Sequence, residues 1–309
     1  MSGNCNEADT LRCASCGVAE NDDIKLKKCN GCHLVRYCGV ECQKAHRKQH
    51  KRDCKKRAAE LREELLFKQP ENSHLGDCPI CCLPLSLDMA KFSIMACCSK
   101  MICRGCFYAN LKQEEEARRD RKCPFCRELL PRTKEAVDKM RLKRVEANDP
   151  VALCQVGGEH ESKGDYIRAF EYYTKAVELG DAWAHHYLAD LYREGLGVEQ
   201  DEGKAIHHFE QAAIGGHPGA RHNLGTYEWI NENADRAVKH YVIAATQGQD
   251  DSIKALMNCF KGGFFYKNVV LDAALRAHKA AIDATKSPQR EEAEKFYREW
   301  DWEGSPIYD

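Results

Sequence analysis

Thiols in pairs are the residues through which this 309-residue chain can do chemistry, since 17 of its 19 cysteines fall between Cys5 and Cys126 and most stand two residues apart. A two-residue gap lets two thiolates close on one tetrahedral metal, so the spacing reads as zinc rather than as a disulfide framework. Zinc thiolates belong to a reducing compartment, and the expected location is cytoplasmic or nuclear.

The first set runs Cys13, Cys16, Cys29, Cys32, Cys38 and Cys42, followed by a basic stretch holding His46, His50 and Cys54. Eight ligands would make two sites. Cys42, His46, His50 and Cys54 lie four apart and share one face if helical, so spacing leaves either histidine able to join Cys54. The second set is Cys78, Cys81, the adjacent Cys97 and Cys98, then Cys103, Cys106, Cys123 and Cys126. If Cys97 and Cys98 both bind, eight thiolates again fill two sites with no position open to water, hence structural zinc. In extended backbone adjacent side chains point apart, so one of the two could bind while the other packs. About four zinc ions per chain are expected. Cys82, with no paired base in sequence, reads as an ordinary thiol.

Residues 13–54, with Tyr37-Cys38-x3-Cys42-Gln43 and His50-x3-Cys54, resemble a MYND zinc finger. The resemblance implies interleaved ligands: Cys13, Cys16, Cys38 and Cys42 on one zinc, and Cys29, Cys32, His50 and Cys54 on the other. It also implies a grip on proline-containing peptides, although Arg47 stands where the family usually has tryptophan. Residues 78–127 resemble a RING finger. That resemblance assigns Cys78, Cys81, Cys103 and Cys106 to one metal and Cys97, Cys98, Cys123 and Cys126 to the second. It further implies non-covalent help to a ubiquitin-conjugating enzyme, with Ile80 and Pro124 docking the enzyme and Arg127 orienting its ubiquitin. No catalytic residue is implied. Adjacent Cys97-Cys98 departs from the usual Cys-x-His of that family.

Around these sets the elements expected are a helical and polar linker over 55–76, a short helix between Phe107 and Lys122 with a solvated face, and a connecting helix over 132–148. From Ala152 the chain repeats itself. Ala152, Ala184, Ala220 and Ser252 open four units, each followed one helical turn on by Val156, Leu188, Leu224 or Leu256. Second helices carry alanine pairs Ala169/Ala176, Ala205/Ala212, Ala237/Ala244 and Ala274/Ala281, and Gly180, Gly216 and Gly248 end three of them. Such units stack into a solenoid with a protein-binding surface. Residues 150–287 resemble Sel-one-like repeats, relatives of tetratricopeptide repeats. A methyltransferase role, seen in some MYND proteins, is disfavoured because these residues are occupied by repeats. The charged tail 289–309, with Trp300, Trp302 and Tyr308, reads as a capping helix or an aromatic partner-binding segment.

The fold class is therefore two small zinc-stabilised modules with little regular structure, then an all-α helical repeat solenoid. The order as a whole resembles multi-domain proteins of diatoms and related algae. Net charge is −1, yet residues 1–148 carry +9 and the remainder −10. The basic run Lys44 to Arg57 lacks interleaved aromatics, which ranks nucleic acid below protein as a partner. No apolar stretch is long enough to span a membrane, and Met1–Thr10 does not read as a secretory leader. The expected function is a RING-type ubiquitin-protein ligase whose repeats recruit substrate, with a non-catalytic scaffold or adaptor as the alternative.

Overall fold

The structure, a computed structural model, describes residues 11–71, 73–263 and 268–299. Two compact units divide the chain, Met1–Lys68 and Gln69–Asp309. Among the described residues no helix is long and apolar enough to cross a membrane.

In the first unit a two-residue ladder, β1 (Lys27–Lys28) antiparallel to β2 (Arg36–Tyr37), leads into α1 (Val40–Leu66). The core is small: Leu26 and Tyr37 are buried among Cys13, Cys29 and Cys32. So little apolar area cannot hold a module of this size without metal. The helical run expected from Lys55 is the second half of α1, which has no glycine or proline to break it and carries three of the ligand candidates within its first half.

The second unit opens with β3 (Phe92–Ile94) antiparallel to β4 (Met101–Cys103), followed by α2 (Arg104–Glu116) and α3 (Lys134–Glu146). Helix pairs follow: α4 (Pro150–Ser162) with α5 (Tyr166–Glu178), α6 (Ala182–Glu194) with α7 (Glu202–Ile214), α8 (Pro218–Ile230) with α9 (Ala234–Thr246), and α10 (Asp250–Lys261) with α11 (Asn268–Ala284). The last helix, α12 (Pro288–Glu299), packs on α2. Of the tail named above, Trp300, Trp302 and Tyr308 lie outside the described residues, as does Met1–Thr10.

Small residues open each repeat because the helices touch there: Ala152, Ala184, Ala220 and Ser252 are all at most 1% exposed. Asp149, Asp165, Asp181, Asp201 and His217 cap α4 to α8 by accepting from backbone N–H groups. Gly180, Gly216 and Gly248 take φ of +85°, +87° and +92°, the left-handed turn that releases the chain toward the next pair.

A second regularity lies between the paired helices. Four residues after the first alanine of α5 and of α9, Tyr173 and Tyr241 face the positions five after the openers Ala152 and Ala220. Gly157 meets Tyr173, and Gly225 meets Tyr241, so closely that a Cβ would stand 2.6 Å and 2.7 Å from the rings. Trp183 joins the two cores of this unit, packing against both the cysteine-rich cluster and the first repeat.

Candidate metal centres

Four groups of four donors form, with each group's ligand atoms within 4.8 Å of one another: Cys13, Cys16, Cys38, Cys42; Cys29, Cys32, His50, Cys54; Cys78, Cys81, Cys103, Cys106; and Cys97, Cys98, Cys123, Cys126. Four soft donors around one point fit zinc, and the chain is suited to hold it.

The cause is a turn used repeatedly. In four of the five Cys-x2-Cys pairs the N–H of the residue after the second cysteine donates to the carbonyl of the first: Gly17 to Cys13 at 2.9 Å, His33 to Cys29 at 3.0 Å, Cys82 to Cys78 at 2.8 Å, and Arg127 to Cys123 at 3.1 Å. Those turn residues have φ of +74°, +58°, +55° and +62°. The turn brings both sulfurs of a pair to one side. Cys82 is therefore a turn residue, exposed and outside the donor set.

Cys97 and Cys98 use the same device with a different first residue. Ser99, at φ +57°, donates its N–H to the Met95 carbonyl at 2.7 Å, and Met95 N–H bonds Lys100 at 2.9 Å. Met95 thus stands where the other turns have a cysteine, and is 1% exposed. Because the pair lies in a turn and not in extended backbone, both sulfurs reach the cluster, Cys97 at 3.3 Å from Cys126 and Cys98 at 3.8 Å from Cys123.

His50 Nε2 lies 3.2 Å from Cys32 Sγ, whereas His46 stacks behind it and pairs through Nδ1 with the Tyr37 hydroxyl at 3.1 Å. Opposite this ligand face, Lys44, Arg47, Lys48, Lys51, Arg52, Lys55 and Lys56 are exposed.

The thiols do not share one affinity for protons. A hydrogen bond with Cys103, helped by N–H groups of Cys81, Cys103 and Ile80, outweighs burial and holds Cys78 down to about 4. Cys97 does the same for Cys123, held to about 5. Burial raises Cys13, but N–H groups from Cys16, Cys38 and Ser15 bring it to about 6. Burial pushes Cys106 up to about 12 and Cys54 to about 11. Crowded sulfurs cannot all ionise unless a cation compensates them, which is what a metal supplies.

Of the partner-facing candidates, Ile80 is 44% exposed and Pro124 is half-buried. Arg127 reaches Glu114 at 3.4 Å. Glu114 corrects the expectation of a wholly solvated helix face: it is 3% exposed and also accepts from Arg119 at 2.8 Å, which lowers its pKa. Among the described residues His185, His186, His207 and His208 form no metal-donor group, although His207 lies edge-on to His208 with ring centres 5.5 Å apart. His185 pairs with His208, Nδ1 to Nδ1 at 2.9 Å, while His186 stacks on His217 at 4.3 Å.

Arg290, on α12, was beyond reach of sequence reasoning. It donates to Cys81 Sγ at 3.3 Å, to the Leu83 carbonyl at 3.1 Å, and to the Pro84 and Thr285 carbonyls at 2.7 Å each. It borders a cleft of about 770 Å³ between the cysteine-rich loops, the end of the repeats and α12.

Comparison with known proteins places names on two of these parts. Residues 13–54 match the MYND finger, and 151–181, 184–217 and 219–249 each match the Sel1 repeat. The chain thus contains a MYND finger and Sel1 repeats. Histone-lysine N-methyltransferase ASHR1 of Arabidopsis thaliana is 42% identical over 50 residues, 16% of this chain and 10% of that protein. The chain therefore spans about a tenth of that relative's length. Among solved structures, a Sel1 repeat protein from Oxalobacter formigenes is similar at 21% identity and TM-score 0.42, over 54% of this chain and 76% of the other. A protective antigen of uropathogenic Escherichia coli strains displaying an SLR fold gives 20% identity and TM-score 0.38, over 55% and 37%.

Proposed function

We propose that this chain is a zinc-stabilised adaptor that binds other proteins through its MYND finger and its repeat array. The observation that carries the reading is closure: each of the four clusters presents four protein donors, so bound zinc would keep no site for water and would serve structure. About four zinc ions per chain follow from the same donor count. The partners are proteins: a proline-containing peptide at the MYND finger, with Arg47 in place of the usual aromatic, and a folded or extended segment on the repeats. Such thiolate sites suit a reducing compartment, the cytoplasm or nucleus.

A second reading, a RING-type ubiquitin-protein ligase, is favoured by one feature. Ile80 sits exposed on a rigid turn, a pre-organised apolar anchor for a conjugating enzyme. One reconstitution separates the two. The zinc-loaded chain is incubated with ubiquitin, activating enzyme and a panel of conjugating enzymes, beside Ile80→Ala and Arg127→Ala. The adaptor reading expects no ubiquitin chains with any enzyme; chains that both substitutions abolish would replace it with the ligase.

A further inference from the structure

Arg290 is 8% exposed, and its guanidinium meets three backbone carbonyls and one cysteine sulfur. Burying a guanidinium is costly unless an anion and hydrogen-bond acceptors await it. Carbonyls supply the acceptors. The cluster of Cys78, Cys81, Cys103 and Cys106 supplies the anion, since four thiolates around one divalent cation keep a net negative charge. Cys81 is 209 residues away in sequence, so this contact exists only through the docking of α12.

The docking is built for that approach. Gly105, between ligands Cys103 and Cys106, lies so near α12 that a Cβ there would stand 2.9 Å from Arg290 Cα and 3.0 Å from its N. Lys112 pairs with Glu292 at 3.3 Å and Lys91 with Glu294 at 3.0 Å. Tyr108 packs on Phe296, and Arg104 lies over Tyr297.

We propose that Arg290 is a positioning residue for this metal site: it holds the Cys81 sulfur in place and offsets the cluster's charge, so that zinc retention and the docking of α12 are linked. A charge-assisted N–H···S bond orients the ligand. Linkage is reciprocal, so zinc holds α12 down by the factor by which α12 holds zinc. The inference rests on the reading that this cluster binds zinc.

The test uses the full-length, zinc-loaded chain. Metal content is first measured by native mass spectrometry, and zinc transfer to a chromogenic chelator is then followed for wild type, Arg290→Gln, Arg290→Lys and Glu292→Ala. Loss of an outer partner of a metal ligand typically weakens affinity about 10–100-fold, and Arg290→Gln is expected to weaken one zinc by that amount. Arg290→Lys, which keeps the charge but places its donors on a single nitrogen, is expected to recover part of it. Glu292→Ala, which loosens the same helix without touching the cluster, is expected to weaken zinc through the linkage alone, and so by clearly less than Arg290→Gln does. In cobalt-substituted protein the thiolate-to-metal absorption band is expected to shift in Arg290→Gln and not in Glu292→Ala. Hydrogen exchange over 288–299 is expected to rise when wild type is chelated. Equal zinc retention in wild type and Arg290→Gln, or equal losses in Arg290→Gln and Glu292→Ala, would overturn the proposal alone. A wild-type chain with no metal on these four cysteines would overturn the zinc reading, and this inference with it.

Discussion

Arg127, the residue after the last cysteine of the second module, is held 3.4 Å from the carboxylate of Glu114 on α2. The carboxylate side chain is 4% exposed and the guanidinium side chain 58%, so the pair fixes an exposed cation from beneath. Arg119 shares the same carboxylate at 2.8 Å. Glu114→Gln keeps the shape and removes the charge. It is expected to lower the thermal midpoint by a few degrees and to free Arg127, read by differential scanning fluorimetry and by the side-chain NMR signals of Arg127. An unchanged midpoint with an unchanged Arg127 signal would contradict the role given to Glu114.

Cys97 and Cys98 should each be required for one metal. Native mass spectra of Cys97→Ala and Cys98→Ala are expected to show one zinc fewer than wild type in both cases, because Met95 sets a turn that delivers both sulfurs. If only one substitution costs a zinc, the other cysteine is packing and not binding.

The two histidines of α1 should separate cleanly. His50→Ala is expected to lose one zinc, whereas His46→Ala keeps the full count and loses its bond to Tyr37, at about 1 kcal/mol. Metal content together with chemical denaturation distinguishes them. The reverse pattern would move the ligand to His46.

Repeat packing gives a steric prediction. Replacing a helical glycine by alanine usually stabilises by about 0.5–1 kcal/mol. At Gly157 and Gly225 the new Cβ would meet Tyr173 at 2.6 Å and Tyr241 at 2.7 Å, and overpacking costs about 1–3 kcal/mol. Sterics should win, so both alanine variants lose stability. Gly158→Ala is the control, since its Cβ would be 3.6 Å from the Tyr173 hydroxyl and should be neutral or stabilising. Thermal melts in which Gly157→Ala matches Gly158→Ala would refute the tight pairing.

Three adjoining histidines make the second unit sensitive to acid. His74 and His186 lie against His217, at 4.5 Å and 4.3 Å between ring centres. Burial holds His74 at about 3, His186 at about 4 and His217 well below the usual value. The groups facing them are Trp183, Tyr187, Phe209, Asp190 at 3.5 Å from His186, and Arg193, whose charge also lowers His186. With folded pKa values below the unfolded 6.5, the unfolded chain binds more protons, so stability is full above about pH 6.5 and falls as pH drops toward 4. Each neutral histidine contributes up to about 1.4 kcal/mol per pH unit in that window. Denaturation at pH 7.5 and 5.5 with metal content monitored should show the fall, and His186→Asn should flatten it. An equal slope in that variant would rule the three histidines out as its source.

Much of the metal chemistry was legible in the chain because a chelate is local. Two residues between cysteines fix which sulfurs can meet, and eight of the sixteen donors come as four such pairs that keep the same turn geometry. Repeat register was legible for a similar reason: one helical turn separates Ala184 from Leu188, and both are buried where the spacing put them. The face shared by His46 and His50 was legible too, but not which of them turns toward Cys32. That depends on where Tyr37, brought up by β2, captures the other ring.

By itself, then, the sequence determined the thiol pairs, the interhelical alanines and the glycines that end the second helices, since each follows from backbone geometry within a turn or two. Only the tertiary structure decided that Met95 completes a turn made elsewhere by cysteine, that Gly157 and Gly225 seat tyrosine rings, that Glu114 holds Arg127, and that Arg290 reaches Cys81 across 209 residues. Those contacts join elements distant in the chain, and no period or spacing records where such elements will cross.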